Sequence, residues 1–169
     1  MNVFIVASIV IINFILQTTV FQYIDIFGIK PNTSLILVVV FALLNNKRFG
    51  GILGLLVGFL QDIIFSKVIG IYALIYFLVG YIVGLFNKVI FKANPVTPFI
   101  FTLLSTLVSY IVYYIFMYFF AMDIEFLNII KSKALIEMIY NSLLSIFIYK
   151  KIAKYYEEPY SRYGLQSRR

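Results

Sequence analysis

Phe49-Gly50-Gly51-Ile52-Leu53-Gly54-Leu55-Leu56-Val57-Gly58-Phe59-Leu60-Gln61-Asp62 decides how the chain must be read. Up to Leu60 it carries no charge and no proline, and glycines recur at positions 50, 54 and 58. In a water-exposed helix each interior glycine is unfavourable by about 1 kcal/mol relative to alanine. In lipid the same spacing is an asset. Residues four apart share one helix face, and a face without side chains lets a second helix approach closely. The apolar run continues to Phe65, long enough to meet the lower end of the about 17–25 residues that a membrane-spanning helix needs.

The flanking sequence has the same character. The 169 residues are 63% apolar and 12% charged, with a mean hydropathy of +1.00. A soluble domain carries about 25% charged residues, and so few polar groups cannot cover a water-facing surface. The chain is therefore read as an integral membrane protein. Five further apolar runs cover 3–21, 31–44, 71–86, 98–122 and 134–149, beside the third at 49–65. Pro31 suits the first turn of the second run, which is the shortest. Continuous runs lack the alternation of a barrel, and an open sheet edge cannot face lipid. The expectation is an all-α, six-helix transmembrane domain over 1–149, followed by a basic tail over 150–169.

Charge placement orients the helices. With both termini inside, the inner segments hold Lys47, Arg48, Lys88, Lys92, Lys150, Lys151, Lys154, Arg162, Arg168 and Arg169. The outer loops hold only Lys30, Lys67, Lys131 and Lys133, offset by Asp25, Asp62, Asp123 and Glu125. This bias follows the positive-inside rule and explains the net charge of +7 without nucleic acid. Met1-Asn2 runs directly into Val3-Phe4-Ile5, so no cleaved signal is expected. The chain has no Cys and no His, which removes disulfides, thiolate nucleophiles, soft zinc sites and His-based triads. No catalytic, cofactor or metal residue is assigned.

The candidate sites are packing faces and polar groups within lipid. Gly50, Gly54 and Gly58, with Gly80 and Gly84 on the fourth run, form grooves for packing within the bundle or for a partner's helix. Asp62 falls roughly 20 Å along its helix from Phe49, near the outer boundary. There it either caps the fourth helix, pairs with Lys67, or serves function, the default for intramembrane acids. Glu137, Asn141 and Ser145 line one face of the last helix, and Asn13 with Gln17 form a shorter stripe on the first. Lipid offers such groups no partner, so Gln17, Asp62, Glu137 and Asn141 are expected to converge in the outer half. They would make packing hydrogen bonds, a small outward pocket or a docking seam.

On the fifth run Thr102, Thr106 and Ser109 share one side, with Tyr110, Tyr113, Tyr114 and Tyr118 around it as an aromatic contact surface. Residues 123–133 mix charges with apolar side chains and read as a short interfacial amphipathic segment. Lys150, Lys151 and Lys154 open the tail, where each basic residue near an anionic leaflet contributes about 1 kcal/mol of attraction. Tyr155 to Tyr160 reads as an aromatic and acidic patch able to serve as a short docking site.

Three segments in order carry a resemblance. They are Gly28-Ile29-Lys30-Pro31-Asn32 leading into Leu35-Ile36-Leu37-Val38-Val39; Gly54 to Asp62; and Ile69-Gly70-Ile71-Tyr72-Ala73-Leu74 followed by Gly80-Tyr81-Ile82-Val83-Gly84. A proline opening the second span, Gly-x-x-x-Gly-x-x-x-Asp ending the third and a glycine before the fourth resemble the rod shape-determining protein MreD family of bacterial inner-membrane proteins. Beyond Pro95 the likeness is one of hydropathy alone.

The resemblance implies a non-enzymatic scaffold of the cell-elongation machinery in the bacterial cell membrane. It also implies a single-span MreC partner, with the actin-like MreB and the peptidoglycan synthases alongside. Self-association is left open. The family is similar in fold to the substrate-binding subunits of energy-coupling-factor vitamin transporters, which makes such a subunit the alternative function. In those subunits an Ala-x-x-x-Ala motif on the first helix meets the transport partner. Here Ala7 is followed four residues later by Ile11, which counts against the transporter.

Overall fold

The computed structural model describes residues 3–20, 23, 28–66, 68–88, 94–120 and 124–157, without the side chains of 124–133 and 157. Six α-helices carry this part: α1 (Val3–Thr19), α2 (Thr33–Leu44), α3 (Lys47–Phe65), α4 (Ile71–Leu85, continued by a 3-10 turn, Phe86–Lys88), α5 (Val96–Phe119) and α6 (Ile124–Glu157). Three stretches are long and apolar enough to cross a membrane: Lys47–Phe65, Ile71–Lys88 and Val96–Phe119. The α1 and α2 helices are apolar but shorter.

The architecture is built around α2. All twelve of its residues are buried, and it touches each of the other five helices. A helix apolar on every side has no face to give to water and belongs at the centre of a bundle. At 1.5 Å per residue it is about 18 Å long, against a hydrocarbon core of about 30 Å. Both ends of α2 therefore finish inside the bundle, where their unpaired backbone groups need protein partners.

Side chains supply those partners. At the start, the Leu35 N–H donates to Asn32 Oδ1 at 3.1 Å and the Asn32 N–H donates to Asn141 Oδ1 at 2.9 Å. At the far end, Asn45 Nδ2 donates to the Phe41 carbonyl at 2.8 Å and Asn87 Nδ2 to the Leu43 carbonyl at 2.6 Å. Asn45 Nδ2 also donates to the Tyr156 hydroxyl of α6 at 2.8 Å. Residues remote in sequence thus close both ends of the central helix.

Around α2 stand two antiparallel pairs, α3 with α4 and α5 with α6, while α1 packs chiefly on α2. Lipid tails are as apolar as leucine, so close contact and hydrogen bonding hold inserted helices together, not the exclusion of water. Tyr76, Phe41 and Ile75 fill the centre, each at most 1% exposed.

Two limits differ from the sequence reading. The second helix begins at Thr33, not at Pro31, because the Asn32 side chain takes the N-cap and Pro31 stands before it. The last helix is not confined to 134–149. It runs unbroken over 34 residues from Ile124 to Glu157, about 51 Å, so residues 124–133 are helical and the tail is helical through Glu157. These flanks contain neither glycine nor proline, and nothing local stops helix propagation. The tail from Glu158, the Asp123 side chain and Lys67 lie outside the described residues.

Candidate functional site

The glycines of α3 and α4 meet each other. A Cβ on Gly80 would stand 2.6 Å from the Gly50 carbonyl carbon, and one on Gly54 2.6 Å from that of Tyr76. One on Gly58 would lie 2.6 Å from Ala73 Cα, and one on Gly84 2.6 Å from Lys47 Cα. Gly50 also faces Ala42 of α2, whose Cβ would be 2.8 Å away. These neighbours are backbone atoms or short side chains with nowhere to go. The five glycines bring the backbones of α3 and α4 together inside the bundle.

Asp62 sits at the Gly58 end of this seam, fully buried. Its Oδ2 accepts from the Gly70 N–H at 3.0 Å and the Ala73 N–H at 2.9 Å, and its Oδ1 from the Tyr72 N–H at 3.0 Å. Gly70 precedes α4 with a φ of +106°, a left-handed conformation open to glycine and strained for other residues. It turns the chain so that the first N–H groups of α4 point at one carboxylate. A negative charge there answers both the unpaired donors and the positive end of the helix dipole. Asp62 is thus an N-cap delivered by the neighbouring helix, and its hydrogen bonds go to the start of α4 rather than to the other polar groups.

Those other groups converge. Glu137 Oε2 accepts from the Tyr110 hydroxyl of α5, and its Oε1 accepts from Asn141 Nδ2 at 3.3 Å. Asn141, also fully buried, accepts the Asn32 N–H and reaches Thr106 Oγ1 of α5 at 3.5 Å. Asn32 Oδ1 accepts in turn from the Tyr76 hydroxyl of α4 at 2.9 Å. One network therefore joins α2, α4, α5 and α6. A second links Gln17 of α1 to Ser34 of α2 and, at 3.4 Å, to Gln61 of α3, while Asn13 Nδ2 donates to Ser34 Oγ at 3.4 Å.

The two networks border adjoining hollows above the start of α2. One, of about 230 Å³, is lined by Asn32, Tyr72, Thr106, Tyr110, Tyr113 and Glu137 among others. The other, of about 170 Å³, brings Gln17 and Gln61 to Lys30 and Glu137. Binding pockets for drug-sized ligands run about 300–1,000 Å³, and most polar groups here already bond to one another. Among the described residues no group of three His, Cys, Asp or Glu side chains is placed to hold a metal ion.

The tyrosines of α5 do not form one aromatic surface. Tyr113 stacks on Tyr72 with centroids 5.3 Å apart, Tyr110 turns to Glu137, and Tyr118 is 69% exposed. The hydroxyls of α5 do meet the polar stripe of α6: Thr106 faces Asn141, and Ser145, fully buried, bonds back to the Ser142 carbonyl at 2.7 Å. Four network members, Asn32, Ser34, Gln61 and Tyr76, are not among the candidates read from the sequence. Asn32 carried a signal, since an Asn after proline and before an apolar run is an N-cap pattern. Tyr76 carried none, because its partner lies 44 residues away.

An all-helical bundle with three helices fit to cross a membrane, tied through its interior by amides, hydroxyls and a carboxylate, is a polytopic membrane protein. The model of the family described as rod shape-determining protein MreD matches residues 1–158, and the chain belongs to that family. It is accordingly a rod-shape-determining membrane protein. Comparison with curated proteins and with solved structures returns no match.

Proposed function

We propose that the chain is a non-enzymatic, six-span scaffold of the cell-elongation machinery. Both termini face the cytoplasm, and the chain acts with a single-span MreC-like protein to guide peptidoglycan synthesis along the cell wall. The family match over residues 1–158 carries this reading. The interior supports it: the glycines close a seam, Asp62 caps a helix, and Glu137 is bonded by Tyr110 and Asn141. Side chains committed to holding a bundle rigid suit a platform for other proteins. The partner then meets the lipid-facing sides of the helices. Small hollows with mutually bonded walls favour this over the vitamin-binding alternative.

Depletion from a rod-shaped bacterial host is expected to round the cells, and a tagged chain is expected to retain the MreC-like protein in mild detergent. Cells that stay rods overturn the role in shape, and a partner lost under every mild condition overturns the pairing. Because the chain has no cysteine, a single cysteine at Asn2 or Ser167 reports its side of the membrane. Labelling from outside the cell would refute the orientation.

A further inference from the structure

A groove of about 560 Å³ separates α1 from the end of α6, with α2 as its floor. Ile5, Ile9, Ile12 and Leu16 make one wall, Ile148 and Ile152 the other, and Leu37 lies beneath. The wall residues of α1 recur at helical spacing on one face. From Ile5 to Leu16 they extend about 16 Å, close to the depth of one leaflet, half of a hydrocarbon core of about 30 Å. The two ends differ in chemistry. The outer end meets Asn13 and Thr33, whereas the end beside Ile5 is bordered by Lys151 and Tyr155. Both are exposed, and they lie one helical turn apart on α6. Lys150 and Lys154, both exposed, flank Lys151 on α6, and among the described side chains no carboxylate lines the groove.

An apolar slot one leaflet deep with an ammonium and a phenol at its mouth matches an acyl chain beneath an anionic headgroup. We propose that this groove binds an anionic phospholipid, its tail along the isoleucines of α1 and α6 and its phosphate against Lys151 and Tyr155. The leaflet is the one that the C-terminal end of α6 reaches, the cytoplasmic one if the proposed orientation holds. The site itself does not depend on the scaffold role. A bound lipid would wedge α1 against the bundle, where the protein alone gives that helix few contacts. A strongly hydrated ammonium at the end of a snorkelling side chain prefers a phosphate to a zwitterion whose charge is balanced.

Native mass spectrometry of the full chain in detergent tests this, with phosphatidylglycerol and phosphatidylcholine of identical tails. Phosphatidylglycerol is expected to be retained about fivefold better, the factor equivalent to the about 1 kcal/mol that one basic residue contributes at an anionic surface. Lys151→Gln should abolish that preference and Lys151→Arg should keep it. Ile9→Trp, which fills the slot, should lower retention of both lipids. Lys47→Gln is the control, since Lys47 lies over the Tyr81 ring at 5.7 Å, away from the groove, and should change nothing. Equal retention of the two lipids by the unaltered chain overturns the proposal. So does a preference that survives Lys151→Gln.

Discussion

The α3–α4 and α5–α6 pairs solve one problem with opposite materials. In the first, glycines remove side chains until backbone lies on backbone, from the Gly84–Lys47 contact to the Gly58–Ala73 contact. In the second, Thr102, Ser105, Thr106 and Ser109 of α5 and Asn141, Ser142 and Ser145 of α6 are all buried. Thr106, Ser109, Ser142 and Ser145 bond back to their own helix, and the bonds of Asn141 to Thr106 and of Tyr110 to Glu137 join the two helices. Small residues allow close approach in both. A glycine contact, however, has one geometry and tolerates no added atom. A polar contact can be lost one hydrogen bond at a time. The first pair therefore acts as a rigid spine, and the second borders the hollows above α2 and can adjust around them.

Substitutions should expose that contrast, and thermal unfolding in detergent measures it. The largest effect is expected at Gly54→Ala, whose new methyl would meet the Tyr76 carbonyl carbon at 2.6 Å. Overpacking costs about 1–3 kcal/mol, and with backbone on the other side the top of that range applies. A Gly54→Ala protein that melts like the unaltered one would show the seam to be loose. Next comes Asp62→Ala, which leaves the Gly70, Tyr72 and Ala73 N–H groups without their acceptor. Removal of a capping side chain costs about 0.5–2 kcal/mol, and the upper end is expected for a cap that answers three donors. Recovery by Asp62→Asn to full stability would mean that the charge contributes nothing.

The polar pair should respond less. Asn141→Ala removes bonds to Asn32, Glu137 and Thr106. Hydrogen bonds between membrane helices average about 0.6 kcal/mol, so a loss of about 1–2 kcal/mol is expected, with the fold retained. A collapse deeper than that of Gly54→Ala would invert the comparison. Smallest is Gly51→Ala on the same helix as Gly54. Its methyl would touch the edge of the Phe77 ring at 3.3 Å and Tyr81 Cβ at 3.5 Å, side-chain atoms and no backbone, and alanine improves helix propensity by about 1 kcal/mol. Melting unchanged or slightly raised is the expected result, and a loss like that at Gly54 would show that general glycine flexibility, not contact, governs α3.

Much of this was legible before any coordinates. The lack of charge excludes a water-facing surface whatever the fold, so the membrane, the helices and their number follow from composition and run length. The glycine spacing on α3 and α4 announced close contact, and the capping of the fourth helix by Asp62 stood among the readings of that acid. What the chain hid was length and partnership. Residues 31–44 look like a short span, and only the packed bundle shows α2 enclosed on every side, with hollows beside its first turn. The apolar runs could not reveal that residues 124–133 continue the last helix, because charged residues are as helical as apolar ones when no glycine or proline intervenes.

Hydropathy is a property of each residue against its solvent, so the sequence alone determined that the chain lives in lipid and which apolar runs form its helices. Which glycine meets which backbone, and which amide closes α2, depends on atoms brought together from positions as far apart as Asn32 and Asn141. No local pattern encodes such pairings. Tertiary structure decided them, because in lipid a buried polar group must find its partner wherever the packed helices place it.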